Sequence, residues 1–273
     1  MNNLSARSLT AVFFVLVMVG SVLLGQLVFA SLLLLITYLG LAEFFRLVSK
    51  NDSQPSWLIT IVVGCLVYGF FAAHALGWIS AKVLLAIVPL AFLLFIVELW
   101  RNKTNPITNI ALSLTGIFYI SVPFGLMVYL FNPAINSGPM HYGVVIGYLL
   151  ILWLNDTGAY FTGSLLGKHK LFERVSPKKT WEGSIGGAIF ALLTGWLMSL
   201  IFRQMDTVDW LMVSFIIIVT GTLGDLVESM FKRSLKIKDS GNILPGHGGI
   251  LDRFDAVLIS VPFVFVYLAI FFH

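Results

Sequence analysis

Cysteine is nearly absent from this sequence: there is one, Cys65, in 273 residues. That excludes a disulfide framework and any zinc site built from several thiolates. Charge is scarce as well. Asp, Glu, Lys and Arg make up 11% of the chain, where a water-soluble domain carries about 25%. Apolar residues reach 58% and the mean hydropathy is +0.94, which leaves too little polar side chain to cover a soluble surface. The same figures exclude intrinsic disorder, which needs low hydrophobicity. A net charge of +4 is no nucleic-acid footprint while its placement is unknown. No internal repeat is evident, which weakens a transporter of the inverted-repeat kind. What remains is an all-α polytopic membrane protein.

A helix needs about 20 mainly apolar residues to cross a bilayer core. The run 8–45 is too long for one crossing, and its expected break lies at Gly25-Gln26, giving spans 8–25 and 26–45. Further spans are predicted at 57–78, 82–99, 108–131, 142–166, 184–202, 210–230 and 253–272, nine in all. The first run is not expected to be a cleaved signal peptide, since it lacks a small-x-small site and continues into a second span. With the N-terminus inside, fifteen Lys and Arg fall in inner segments and only Lys82 and Arg203 in outer loops. Basic residues are retained on the cytoplasmic side, so the predicted orientation is N-terminus in, C-terminus out.

Residues 1–150 read as membrane scaffold and 151–273 as the half that carries the chemistry. In the first half Glu43 and Glu98 lie near inner span ends, where a carboxylate can snorkel to water; both read as structural. His74 and His141 sit at outer ends, far from other candidate ligands. The second half differs. Asp156 lies inside an apolar span, a costly placement that usually faces a bundle interior or a wet cavity. The inner loop 167–183 holds five cations, including Lys178 and Lys179. They fit anionic-lipid binding, and Ser176-Pro177-Lys178-Lys179-Thr180 equally fits a phosphate clamp: a turn, two ammonium groups and hydroxyl donors. Ser176 or Thr180 is placed to cap the next helix, whose N-terminus favours an anion. Gly163-x-x-x-Gly167-Lys168-His169 is not a P-loop, being one residue short with His in place of Ser/Thr.

Asp225, Glu228 and Ser229 fall at i, i+3 and i+4 and share a helical face; Asp252 and Asp255 share another. Two carboxylate-bearing faces joined by a polar loop suit Mg²⁺, which takes one or two carboxylates with water and substrate phosphates. The competing reading pairs these acids with Lys232, Arg233 and Arg253 as rim salt bridges. Such pairs contribute only about 0–1 kcal/mol each where exposed. Gly248 and Gly249, after His247, would let backbone approach a bound phosphate.

The stretch Ser229-x-Phe231-Lys232-Arg233-x-x-x-x-Lys238-Asp239-x-Gly241-x-x-Leu244-Pro245-x-His247-Gly248-Gly249-Ile250-x-Asp252-Arg253-Phe254-Asp255 resembles the signature of the phosphatidate cytidylyltransferases, the CDP-diacylglycerol synthases. Asn155-Asp156-Thr157-Gly158-Ala159-Tyr160 and Ser176-Pro177-Lys178-Lys179-Thr180-Trp181-Glu182-Gly183 resemble that family's other polar blocks, with Asn155 where Ser is common. The resemblance implies an enzyme of phospholipid biosynthesis that converts CTP and phosphatidate to CDP-diacylglycerol and diphosphate with Mg²⁺. It implies metal ligands at Asp225, Asp252 and Asp255, and allows a monovalent cation such as K⁺. It also implies a site on the cytoplasmic face of a bacterial inner membrane and an association with homodimers. Catalytic roles fall to the three aspartates with Lys178 and Lys179. Substrate contacts fall to Asp156, Ser176, Thr180, Ser229, Lys232, Arg233, Lys238, Asp239, His247, Gly248, Gly249 and Arg253. No nucleic-acid partner is expected. The alternatives are a CTP-dependent enzyme acting on another lipid phosphate or a polyprenol and, in another class, an ion-coupled transporter using Asp156, Asp225 and Asp252. A CDP-alcohol phosphotransferase is disfavoured because its Asp-Gly-x-x-Ala-Arg block is absent.

Overall fold

The computed structural model describes residues 3–49, 54–131, 142–203, 205–237, 239–241 and 248–271. Lys238 and His247, both expected in the site, lie outside them, as does His141. The predicted hairpin is present: α1 (Asn3–Leu24) and α2 (Gln26–Val48) break at Gly25. The φ of +115° there is a backbone state that side chains other than glycine rarely adopt. The next residue, Gln26, is buried and pins the hairpin, its Nε2 donating to Ala75 O at 3.2 Å and Val128 O at 3.4 Å.

The chain continues through α3 (Trp57–Ala75), a 3₁₀ turn (Ala81–Ala86) running into α4 (Ile87–Arg101), and α5 (Pro106–Gly116). A π turn over Ile117–Ser121 joins α5 to α6 (Val122–Tyr129). Pro123 brings no backbone N–H to that junction, and the Val122 N–H reaches back to Ile117 O. Then follow α7 (Tyr142–Leu166), α8 (Trp181–Ile201), α9 (Thr207–Ser234) and α10 (Leu251–Phe271). Among the described residues eight helical segments are long and apolar enough to cross a membrane, with a shorter apolar stretch at Ala11–Leu24. The protein is an integral membrane protein. Its outer surface is apolar, with Trp100 and Ile107 each more than 80% exposed, as lipid-facing side chains are.

One departure from an all-helical chain lies in the basic loop. Strands β1 (Lys170–Phe172) and β2 (Ser176–Thr180) pair antiparallel, Lys170 opposite Thr180 and Phe172 opposite Ser176. Ser-Pro-Lys-Lys-Thr is therefore an extended strand and not the turn expected of it. The turn sits at residues 173–175, where Val175 N–H reaches Phe172 O at 3.2 Å.

Helix crossings in the second half are set by small residues. Cβ atoms added to Gly158 on α7 or to Gly183 on α8 would meet Phe190 Cγ at 2.8 Å or Ala159 O at 2.9 Å. Their absence lets α7 and α8 approach closely. The core between halves is aromatic: Phe254 of α10 stacks edge-on against Phe14 of α1 (5.5 Å) and Phe124 of α6 (5.2 Å). Tyr148 is fully buried and its hydroxyl pairs with Ser260 Oγ at 2.6 Å, which removes the cost of an unmet polar group.

Candidate active site

Three structural devices bring the polar residues to one end of α7, α8, α9 and α10. Thr180 caps α8, its hydroxyl oxygen accepting from Gly183 N–H at 3.2 Å. The hairpin is tied down by Glu182, whose carboxylate accepts from Lys168 N–H (3.1 Å), His169 N–H (3.2 Å) and His169 Nδ1 (2.6 Å). With the hairpin fixed at both ends, Lys178 and Lys179 project beside α7. Gly224 then brings α9 against α10: a Cβ there would lie 2.6 Å from Asp255 O and 2.9 Å from Ala256 Cα. The next residue, Asp225, consequently stands beside Asp255, and the two line one cavity.

The result is a cavity of about 490 Å³. Asp156, Lys178, Lys179, Asp225, Asp252 and Asp255 line it, with Thr180 and Ser184 at its side. Lys179 Nζ forms an ion pair with Asp225 Oδ2. Asp156 bonds Asn155 Nδ2 at 3.4 Å and faces both Lys179 and Asp225. Asp255 Oδ1 accepts from Ala256 N–H at 2.8 Å. Two neighbouring carboxylates repel unless a cation or proton stands between them. The Asp225–Asp255 pair is therefore the donor set best suited to a hard divalent ion, and it leaves the remaining coordination to water and phosphate oxygens. Among the described residues no three His, Cys, Asp or Glu side chains gather as a ready-made cage. A site of one or two carboxylates needs none.

Asp252 is differently engaged. Its Oδ1 accepts from Lys232 Nζ at 2.8 Å, and its Oδ2 from Gly249 N–H (2.8 Å) and Ser240 N–H (2.9 Å). Lys232 also pairs with Glu228. The rim salt bridges weighed against a metal site are thus present for Asp252, while Asp225 and Asp255 remain turned to the cavity. The glycines also find another use. Gly248 has φ +81°, and a Cβ there or at Gly249 would collide with the Asp252 or Glu43 carboxylate respectively. Ser176 and Ser229 are half-buried, outside the cavity lining; Arg233, Asp239 and Arg253 are exposed.

Sequence reasoning missed Gly224, Tyr119 and the long reach of Glu43. Gly224 gave no signal, since a helix glycine reveals its packing partner only in three dimensions. Glu43 is 2% exposed and Glu98 5%, so neither snorkels. Glu98 binds Arg101 Nη1 (2.7 Å) and Asn109 Nδ2 (2.6 Å), as a structural carboxylate would. Glu43 reaches the α10 loop. Tyr119, on the π turn, borders a second cavity of about 340 Å³ with Phe44, Leu47, Leu112, Phe231 and Lys232. The Tyr119 hydroxyl and Glu228 Oε1, both in its wall, are buried without a hydrogen-bond partner among the described residues. Lys232 joins this apolar cavity to the polar one through its bond to Asp252.

The chain is similar over nearly its whole length to known proteins. A protein of Staphylococcus saprophyticus named phosphatidate cytidylyltransferase is 36% identical over 262 residues, covering 95% of this chain and 96% of the relative. A Bacillus subtilis protein of the same name is 33% identical, covering 99% of this chain and all of the relative. One from Staphylococcus haemolyticus is 34% identical over 95% of this chain and 96% of its own. Residues 5–271 match the cytidylyltransferase family, and with the cavity's paired lysines and aspartates at the ends of membrane helices, the chain belongs to that family.

Proposed function

We propose that this protein is a phosphatidate cytidylyltransferase: it transfers the cytidylyl group of CTP to phosphatidate, giving CDP-diacylglycerol and diphosphate. The observation that carries the reading is the cavity in which Lys178 and Lys179 face Asp156, Asp225 and Asp255, in a chain whose relatives bear that name. A phosphatidate phosphate oxygen attacks the α-phosphorus of CTP. The new P–O bond forms as the bond from the α-phosphorus to the bridging oxygen breaks, and diphosphate departs with its electron pair. The nucleophile is already an anion, so no strong base is required; catalysis rests on alignment and charge neutralisation.

Lys178 and Lys179 bind phosphate oxygens, and Asp225, paired with Lys179, sets the position of that ammonium group. Asp156 faces the same lysine and helps hold it. Asp225 and Asp255 are the residues that would hold Mg²⁺, with Asp252 in the same cavity wall as a third candidate ligand and K⁺ as a candidate second ion. When bound, Mg²⁺ supplies positive charge to the triphosphate and the departing diphosphate. Lys232, Arg233 and Arg253 add countercharge near the rim.

The apolar cavity beside Lys232 favours a lipid acceptor. It offers wall for an acyl chain within one hydrogen bond of the polar site. This reading puts the cavity on the cytoplasmic side of a bacterial inner membrane, where CTP is available, with the N-terminus inside and the C-terminus outside. Residues 1–150 serve as scaffold, 151–273 carry the chemistry, and the assembly is a homodimer.

Purified protein given cytidine-labelled CTP, phosphatidate and Mg²⁺ should form labelled CDP-lipid, and chelation should abolish it. Formation only with a polyprenyl phosphate would reassign the acceptor. Ion flux in vesicles without CTP turnover would overturn the reading in favour of a transporter.

A further inference from the structure

Glu43 lies on α2, in the half of the chain that carries no other part of the polar cavity, yet its carboxylate reaches the loop between α9 and α10. One oxygen accepts from Ser240 Oγ at 2.5 Å and from Leu251 N–H at 3.1 Å; the other accepts from Ile250 N–H at 2.8 Å. Ser240 stands at one end of the loop and Ile250-Leu251 at the other, where α10 begins. The first N–H groups of a helix have no partner within it, and here a buried acid from a distant helix supplies one. Asp252 closes the same neck a second time, its Oδ2 accepting from Ser240 N–H and Gly249 N–H. Glycine at 241 and at 249 makes room: a Cβ at Gly241 would lie 2.8 Å from Glu43 Oε2, and one at Gly249 would overlap the carboxylate.

We propose that Glu43 is a positioning residue for catalysis: it ties Ser240 to Ile250 and Leu251 and so fixes Asp252 and the first turn of α10, which carries Asp255. The role rests on the reading of the polar cavity as the site of cytidylyl transfer. A carboxylate is required because three donors converge on it. An amide in its place offers one acceptor oxygen, so its NH2 group must face a backbone N–H that is itself a donor, Ile250 in one orientation and Leu251 in the other.

The test compares Glu43→Gln, Glu43→Asp and Ser240→Ala with the parent protein, each purified and monodisperse. Glu43→Gln should lower kcat by about 10- to 100-fold, the scale of a catalytic group misplaced by about 1 Å, with little change in the KM for CTP. Glu43→Asp, which keeps both acceptors, should recover part of that loss, and Ser240→Ala should show a smaller fall in kcat. In hydrogen exchange, residues 248–255 should exchange faster in Glu43→Gln while α7 and α8 remain as protected as before. An unchanged kcat, or a loss that matches the unfolded fraction with faster exchange throughout, would overturn the proposal. If Glu43→Gln does not fold, Glu43→Asp and Ser240→Ala decide by the same two readouts. A parent protein that makes no CDP-lipid would refute the assigned reaction, while the exchange comparison would still judge the clamp.

Discussion

Lys179 and Asp225 form the pair on which the polar cavity turns, one from a hairpin strand and the other from α9. Their side chains are each about a quarter exposed, so the pair is partly screened by water and its value lies in placement more than in stability. Lys179→Ala should therefore leave the protein folded but lower cytidylyl transfer by about 100-fold or more, the scale seen when one charge-stabilising group is removed from a transition state. Lys179→Arg should restore less than half of that, since a planar guanidinium does not substitute for a compact ammonium. Initial rates on monodisperse protein check both; near-normal turnover in Lys179→Ala would detach this lysine from the reaction. These two residues were legible in the sequence because charge is so rare in it. Eighteen of the thirty charged side chains fall at Asp156, in 167–183 or in 225–255. Glu43 was not legible, because a lone acid near a span end reads as a snorkelling one and its partners lie some 200 positions away.

At the scale of the element, the decisive contact is the crossing of α9 and α10 at Gly224. With no side chain there, the two backbones approach until Asp225 and Asp255 share a space. Gly224→Ala should force the helices apart, destabilising the protein by about 1–3 kcal/mol as overpacked sites do. Cytidylyl transfer should fall by about 10- to 100-fold as the two carboxylates separate. Thermal unfolding and kinetics on the same preparation would check both effects, and an unaffected rate would show that the spacing of the two acids is not critical. Span positions were readable from apolar run length alone: the stretch predicted at 142–166 is α7, residue for residue. The hairpin escaped because its strands are only three and five residues long. A Ser-Pro step is also as compatible with an extended segment as with a turn.

For the whole molecule, the few charges do two jobs. They place the polar chemistry at one end of the helices, and because basic segments are retained inside, the proposed reading puts that end in the cytoplasm. The single cysteine makes this testable. With Cys65 replaced by Ala, a cysteine introduced at Glu173, exposed in the hairpin turn, should react with a membrane-impermeant maleimide in inverted vesicles but not in intact cells. One introduced at Lys82, also exposed, should show the opposite. Reversal of both patterns would invert the orientation and leave the site without access to CTP.

The central claim is that the cavity around Asp225, Asp255 and Lys179 breaks CTP at its α-phosphorus. CTP labelled at the α-phosphorus should pass its label to the lipid, and CTP labelled at the γ-phosphorus should release its label as diphosphate. Both transfers should be lost in Asp225→Asn. Label from the γ-phosphorus appearing in the lipid would mean phosphoryl transfer by a lipid kinase, and would contradict the account.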